Sequence, residues 1–237
     1  MKIAIPVVAV VVLLLVACPQ VKADAPYELY SVPKSSISIV VLRDSIGVLT
    51  LSSDVKGGKD IPTYKVSGSS FTSDAILKAL ETVPVSNFDY HPPDDPKLIG
   101  SYRYPILKKT GTYLLIVVDP VKATRVWVNV AELGNAFILR QTYFNDLAHL
   151  GELYVDPFFG EVDVSRPIYK TPSLATETGT IPKGSYKVKA EKNGFVELLV
   201  EEWSEQSEHP ELRTVGWIPI RDAAGLLTIW VVLYDNC

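Results

Sequence analysis

Two stretches of this chain carry the same features in the same order. Residues 98–118 read LIGSYRYPILKKTGTYLLIVV, and residues 181–200 read IPKGSYKVKAEKNGFVELLV. Each has Gly-Ser-Tyr and a basic residue, then a Lys-bearing turn, a Gly and an apolar run. The match continues from Val126-Trp127-Val128 against Gly216-Trp217-Ile218, through Gly134 and Gly225, into two closing apolar runs. Upstream, LYSVP (29–33) lines up with IYKTP (168–172). Short matches arise by composition in β-rich chains. Several in one order mark an internal duplication, and a duplicated small unit confines the fold to two tandem copies.

The copies differ in length. The first carries extra chain at about 34–97, which has structure of its own to offer. SISIVVL (36–42) and IGVLTLSS (46–53) are β-branched runs split by a short polar turn and read as a hairpin. KDIPTYKV follows as a third strand. TSDAILKALETVP (72–84) has a capping residue, helically spaced apolar positions and a Pro stop, so it reads as a short helix. As a surface addition to the first copy, residues 36–96 are expected to be removable with the second copy left folded. The second copy is longer only around EEWSEQSEHPELRT (201–214).

The residues 168–202 (IYKTPSLATETGTIPKGSYKVKAEKNGFVELLVEE) and 214–222 (TVGWIPIRD) resemble a bacterial Src-homology-3-like (SH3-like) domain. That family shows a strand ending near a Pro, an apolar strand after Lys-Gly, a Gly-aromatic turn and a closing Gly-Trp strand. The corresponding stretches here are 168–172, 181–190, 193–200 and 216–220. The likeness is clearest over 162–222 and reaches residues 24–135 through the internal match, where Val126 stands in place of the Gly before the Trp. It implies a mostly β fold: two tandem SH3-like small barrels, the first carrying a β-hairpin plus short helix insertion. The domains would be 24–150, with its insertion at about 34–97, and 151–237. The residues agree with it. Tyr186, Val188 and Ala190 alternate with lysines, as a strand with one buried face does. Pro219 lacks a donor, so its strand should lie at an edge or leave pairing there.

The N-terminus reads as an address. Met1-Lys2 precedes an apolar run shorter than the ~20 residues a spanning helix needs, which fits a secretory signal peptide over 1–23, cut after Ala23. The alternative is a lipoprotein with signal 1–17, because Leu15-Val16-Ala17-Cys18 resembles a lipobox and makes Cys18 a lipidation candidate. By either route Cys237 is left without an intrachain partner. The expected location is extracytoplasmic, periplasmic or secreted, or else anchored at the membrane by lipid. A formal charge of −4 with both signs scattered lacks the concentrated basic face of a nucleic-acid binder.

Candidate sites are few. The chain has no Gly-x-Ser-x-Gly elbow, phosphate loop or paired-cysteine motif, so no catalytic residue, cofactor or metal site is assigned. DYHPPDD (89–95) holds one His and three carboxylates, but its prolines keep it extended. His149 and His209 have no nucleophile beside them in sequence. The ligand-binding candidates are aromatic. Trp127 and Trp217 end equivalent strands, where the resemblance implies a groove. Tyr30 and Tyr169 stand at matched first strands, and Trp203 sits in an acidic loop. The expected function is an exported, non-catalytic binding module of the bacterial cell envelope. Its ligand would be a peptide, a wall fragment or a protein partner. The alternatives are an assembly subunit of an envelope complex and, third, an enzyme with its site in the insertion.

Overall fold

The computed structural model of the chain describes residues 34–52, 60–77, 101–134, 138–148, 153–157, 165–184, 186–202 and 210–232. The chain is mostly β, in two antiparallel sheets. The first holds β1 (Gly47–Ser52), β2 (Ile61–Ser67), β3 (Ser70–Leu77), β4 (Ser101–Thr110), β5 (Tyr113–Asp119), β6 (Thr124–Asn129) and β7 (Ile138–Tyr143). The second holds β8 (Tyr154–Asp156), β9 (Arg166–Tyr169), β10 (Glu177–Ile181), β11 (Tyr186–Lys192), β12 (Phe195–Glu202), β13 (Glu211–Pro219) and β14 (Trp230–Val232). The strand orders are β3-β2-β6-β5-β4-β1-β7 and β10-β9-β13-β12-β11-β8-β14. They are the same order, strand for strand.

Local chemistry sets the hairpins. β11 and β12 meet through the two-residue turn Asn193-Gly194, both at positive φ (53° and 73°), which is the Asn-Gly turn whose twist suits a hairpin. β4 and β5 meet through Gly111-Thr112, with Gly111 at φ 60°. Each hairpin also has a register shift at the same place, between Ile106 and Lys108 in β4 and between Val188 and Ala190 in β11. Counting back from that shared bulge, Tyr104 is the counterpart of Tyr186. The sequence match had paired Tyr102 with Tyr186, two residues out of step. A slip of two leaves every side chain on its own face, so alternation cannot detect it.

Three local expectations are overturned. The run 36–42 is not a strand: a 3₁₀ turn (Lys34–Ser36) leads into the helix α1 (Ile39–Asp44). Its β-branched residues favour a pleated surface only where one is offered, and here Val41 and Leu42 are buried against the second sheet instead. The helix expected from residue 72 is β3, paired along its length with β2; the Thr63 hydroxyl also bonds Ala75 O (3.0 Å) and accepts from Ala75 N (3.2 Å). Cross-strand pairing outweighed the helical spacing of Ala75 and Ile76. The rest of that expected helix lies outside the described residues. Finally, β1, β2 and β3 are not additions, because β8, β9 and β10 occupy the same places in the second sheet. The strand expected at KDIPTYKV is β2. Pro219 is the last residue of β13, which pairs with β9 and β12.

Among the described residues, two apolar clusters form the core. One lies within the first unit and includes Leu49, Leu51, Ile61, Tyr104, Ile106, Leu114, Ile116 and Val128. The other joins Ile37, Val41, Leu42, Val48, Val117, Phe144 and Leu147 to residues of every part of the second unit, among them Val155, Ile168, Tyr186, Leu198, Ile218 and Trp230. β1 is therefore buried on both faces: Leu49 points into its own unit and Val48 into the shared cluster, each 0% exposed. Arg221 adds a polar clamp. Its guanidinium donates to the carbonyls of Leu42 (3.1 Å), Arg43 (2.7 Å) and Gly225 (2.8 Å), and to that of Ser45. Leu227 N also donates to Leu42 O (2.9 Å). These bonds hold the carbonyls at the C-terminal end of α1, which a helix leaves without partners. Residues 36–48 thus share a core with the second unit, against the expectation that they could be removed from the surface of the first.

Candidate functional site: aromatic positions on two equivalent sheets

The pairing of β2 with β6 sets Tyr64 opposite Trp127, and the pairing of β9 with β13 sets Tyr169 opposite Trp217. These are the same position in two sheets. Both tyrosines lie two residues after a Pro, in IPTY (61–64) and RPIY (166–169). The counterpart of Tyr169 is therefore Tyr64. Tyr30, chosen for that place from sequence, lies outside the described residues, as does Trp203.

In the first unit the pair belongs to a larger aromatic cover. Phe71 reaches from β3 and stacks on Tyr113 of β5, with ring centroids 3.8 Å apart and planes 3° from parallel. Tyr64 meets Tyr113 edge-on at 5.2 Å, and Trp127 meets Phe71 edge-on at 5.0 Å. All four rings are half-exposed. The Tyr64 hydroxyl donates to Glu132, whose carboxylate also accepts from Asn129 Nδ2 (3.0 Å). Asn129 caps the short helix α2 (Val130–Leu133) by accepting from Ala131 N (3.2 Å). The hydrogen bond to Glu132, with burial second, pushes the Tyr64 phenol up to about 12, so it remains a neutral donor at physiological pH. Tyr64, Phe71 and Tyr113 were missed from sequence. Tyr64 had a signal, the shared Pro-x-Tyr; Phe71 had none, because its reach across β2 exists only in the folded sheet.

In the second unit the corresponding rings have sunk. Tyr169 is 6% exposed and Phe195, in the place of Tyr113, is 8% exposed; they meet edge-on at 5.8 Å. Gly216 permits this. It sits at φ 144°, and a Cβ there would lie 2.8 Å from Ile168 Cγ1 and 2.9 Å from Tyr169 O. Only a glycine lets β9 lie this close to β13. Burial first, and then the charge of Glu177, raise the Tyr169 phenol above its ordinary value. Trp217 and Pro219 face outward, half-exposed, while Ile218 and Ile220 point into the core.

Beside Tyr169 opens a cleft of about 350 Å³, near the lower end of the range for small-ligand sites. Tyr169, Leu174, Ile218 and Pro219 line it, and Lys34 and Arg166 bring charge to it. Arg166 Nε donates to Pro157 O (2.8 Å). Among the described residues no group of three or more His, Cys, Asp or Glu side chains is placed to hold a metal. Residues 89–95, His149, His209, Cys18 and Cys237 lie outside the described residues.

No protein-family model matches the chain, and no curated relative does. Among solved structures the chain is similar to one titled Endolysin LysPBC5 CBD, at 14% identity over 78% of this chain and 95% of that one, with a TM-score of 0.22. A likeness at that score carries no argument about fold or function.

Proposed function

We propose that this chain is an exported, non-catalytic binding module of the bacterial cell envelope, built from two SH3-like units at 24–150 and 151–237. On this reading residues 1–23 are a signal peptide, or 1–17 with a lipid on Cys18. The ligand is an envelope peptide, a wall fragment or a protein partner. The observation that carries the proposal is the repetition of one arrangement: a Tyr opposite a Trp at the same position of two sheets, Tyr64 with Trp127 and Tyr169 with Trp217. Rings of this kind bring large contact area at small entropic cost, which is why they dominate binding hot spots.

The test is capture of envelope material by the purified chain, with Trp127→Ala and Trp217→Ala compared beside their unfolding midpoints. Capture weakened about tenfold or more by Trp127→Ala, at little loss of stability, supports the reading. Capture unaffected by both substitutions sinks it. An assembly subunit is the second reading, and the β2–β3 hairpin favours it. β3 is an edge strand, and Val66 and Ile76 on the hairpin are 52% and 62% exposed. Among the described residues that edge carries no further strand, and exposed apolar groups on such an edge are suited to a protein partner.

A further inference from the structure

We propose that Asn193-Gly194, the turn joining β11 to β12, is a site of spontaneous deamidation, the uncatalysed hydrolysis of an asparagine side-chain amide. The inference is independent of the binding-module reading. Asn193 is the one asparagine of the chain that a glycine follows. A glycine leaves its own nitrogen open to the preceding side chain, because no Cβ stands in the way. The surroundings here are open as well. Both residues are exposed, and among the described residues a Cβ built on Gly194 would meet nothing within 4 Å. Among the described residues, too, neither the Asn193 side-chain amide nor Gly194 N has a hydrogen-bond partner. Both reacting groups are therefore free. The matching turn of the first unit, Gly111-Thr112, has no side-chain amide and cannot undergo the reaction.

The chemistry runs through a cyclic imide. Gly194 N attacks Asn193 Cγ and the new N–Cγ bond closes a succinimide ring. The Cγ–Nδ2 bond breaks, and Nδ2 leaves as ammonia with the proton from Gly194 N. Water then adds to one of the two ring carbonyls. Cleavage of the new N–Cγ bond gives aspartate. Cleavage of the original peptide bond gives isoaspartate, whose main chain runs through the former side chain. Either way one water is consumed and one ammonia released. Ring closure requires Asn193 to leave its left-handed conformation, and a hairpin tip can open locally while the sheet stays intact. The two products then differ in structure. Asn193 and Gly194 hold φ 53° and 73°. Aspartate tolerates this conformation as asparagine does, and Asp-Gly is also a favoured pair for the turn, so that product changes the charge alone. Isoaspartate adds a methylene to the main chain, and a two-residue turn has no room for it. Gly194 O accepts from Ile220 N (2.8 Å), and Phe195 pairs with Pro219. The longer turn draws Gly194 O away from Ile220 and loosens the end of the strand that carries Trp217.

The experiment ages the purified, folded chain in mildly alkaline buffer made with heavy-oxygen water. Peptide mass mapping locates the exchange of an amide nitrogen for labelled oxygen, and labelling by a protein isoaspartyl methyltransferase reports isoaspartate. Label should enter at residue 193 ahead of every other asparagine, with isoaspartate formed there. A second Ile220 amide resonance should grow in step with it. Asn193→Gly leaves a turn-forming Gly-Gly pair and should abolish both signals with the fold intact by circular dichroism. Freshly prepared Asn193→Asp should carry the added charge and leave the Ile220 amide where it is. Modification first at another asparagine overturns the proposal. So does a folded chain that stays unmodified while its urea-unfolded counterpart converts at residue 193. An Ile220 amide disturbed equally in Asn193→Asp and in the aged chain overturns the assignment of the structural effect to isoaspartate.

Discussion

At matched positions the two units treat their aromatic residues differently. In the first, Tyr64, Tyr113 and Trp127 stay half-exposed and Phe71 lies across them from β3. In the second, Tyr169 and Phe195 are buried, and Ala175 falls where strand pairing would place a counterpart of Phe71. Each unit has also solved its packing in its own way. The first has a cluster to itself; the second completes its core with Ile37, Val41, Leu42 and Val48 of the first. One strand order therefore supports two distributions of apolar surface. The first unit is left with aromatic rings to present, and the second with a cleft.

The sharpest way to break this comparison is to charge the face of β1 that packs into the shared cluster. Val48→Asp would bury an unpaired carboxylate in the shared cluster and should cost about 3–5 kcal/mol, lowering both units' unfolding midpoints together. Chemical denaturation followed at a probe in each unit reads this; loss confined to the first unit would show that the second does not depend on the shared core. Next comes the glycine that separates the copies. Gly216→Val installs the residue that the first copy has at Val126, and should destabilise by about 2–4 kcal/mol through a forbidden φ and the clash with Ile168 and Tyr169. The reciprocal Val126→Gly should cost about 1 kcal/mol. If the two swaps cost the same in denaturation, the close crossing of β9 and β13 is not what distinguishes the units.

Arg221→Ala should cost about 2 kcal/mol, because it leaves the carbonyls of Leu42, Arg43 and Ser45 without their charged donor. Burial lowers the Arg221 pKa and the charge of Asp44 opposes that shift. The midpoint of thermal unfolding is the measure, and an unchanged value would remove Arg221 from the clamp. The smallest effect belongs to Tyr64. Its folded-state pKa, raised from 10 to about 12, means that the unfolded chain releases this proton first as pH rises. The stability it contributes is present below pH 10 and is lost as pH climbs through 10 toward 12. Tyr64→Phe should therefore flatten part of the alkaline decline in stability. A decline of unchanged steepness would place the whole effect on other groups, such as Tyr186, also held at about 12.

How far the fold could be read in advance varies along the chain. The Gly-bearing turns and alternating runs of 101–119 and 186–202 were legible, because a strand's period and a two-residue turn are local properties. The register between copies was not, since a slip of two residues preserves every face. The run 36–42 misled because β-branched residues do not choose strand over helix until a partner surface is present. The matched positions of Trp127 and Trp217 were legible from the internal match, whereas the place of Phe71 beside Tyr113 and Trp127 was not, because its neighbours are distant in sequence.

By itself, then, the sequence determined the class, the duplication and the turn positions, all of which depend on residues within a few places of one another. Only the tertiary structure decided that β1 is buried on both faces, that α1 is a helix held by Arg221, and that Lys34 of one unit and Arg166 of the other line the same cleft. Each of these depends on which surface packs against which. That choice is made by burying apolar area between segments far apart in the chain, and no local pattern of residues encodes it.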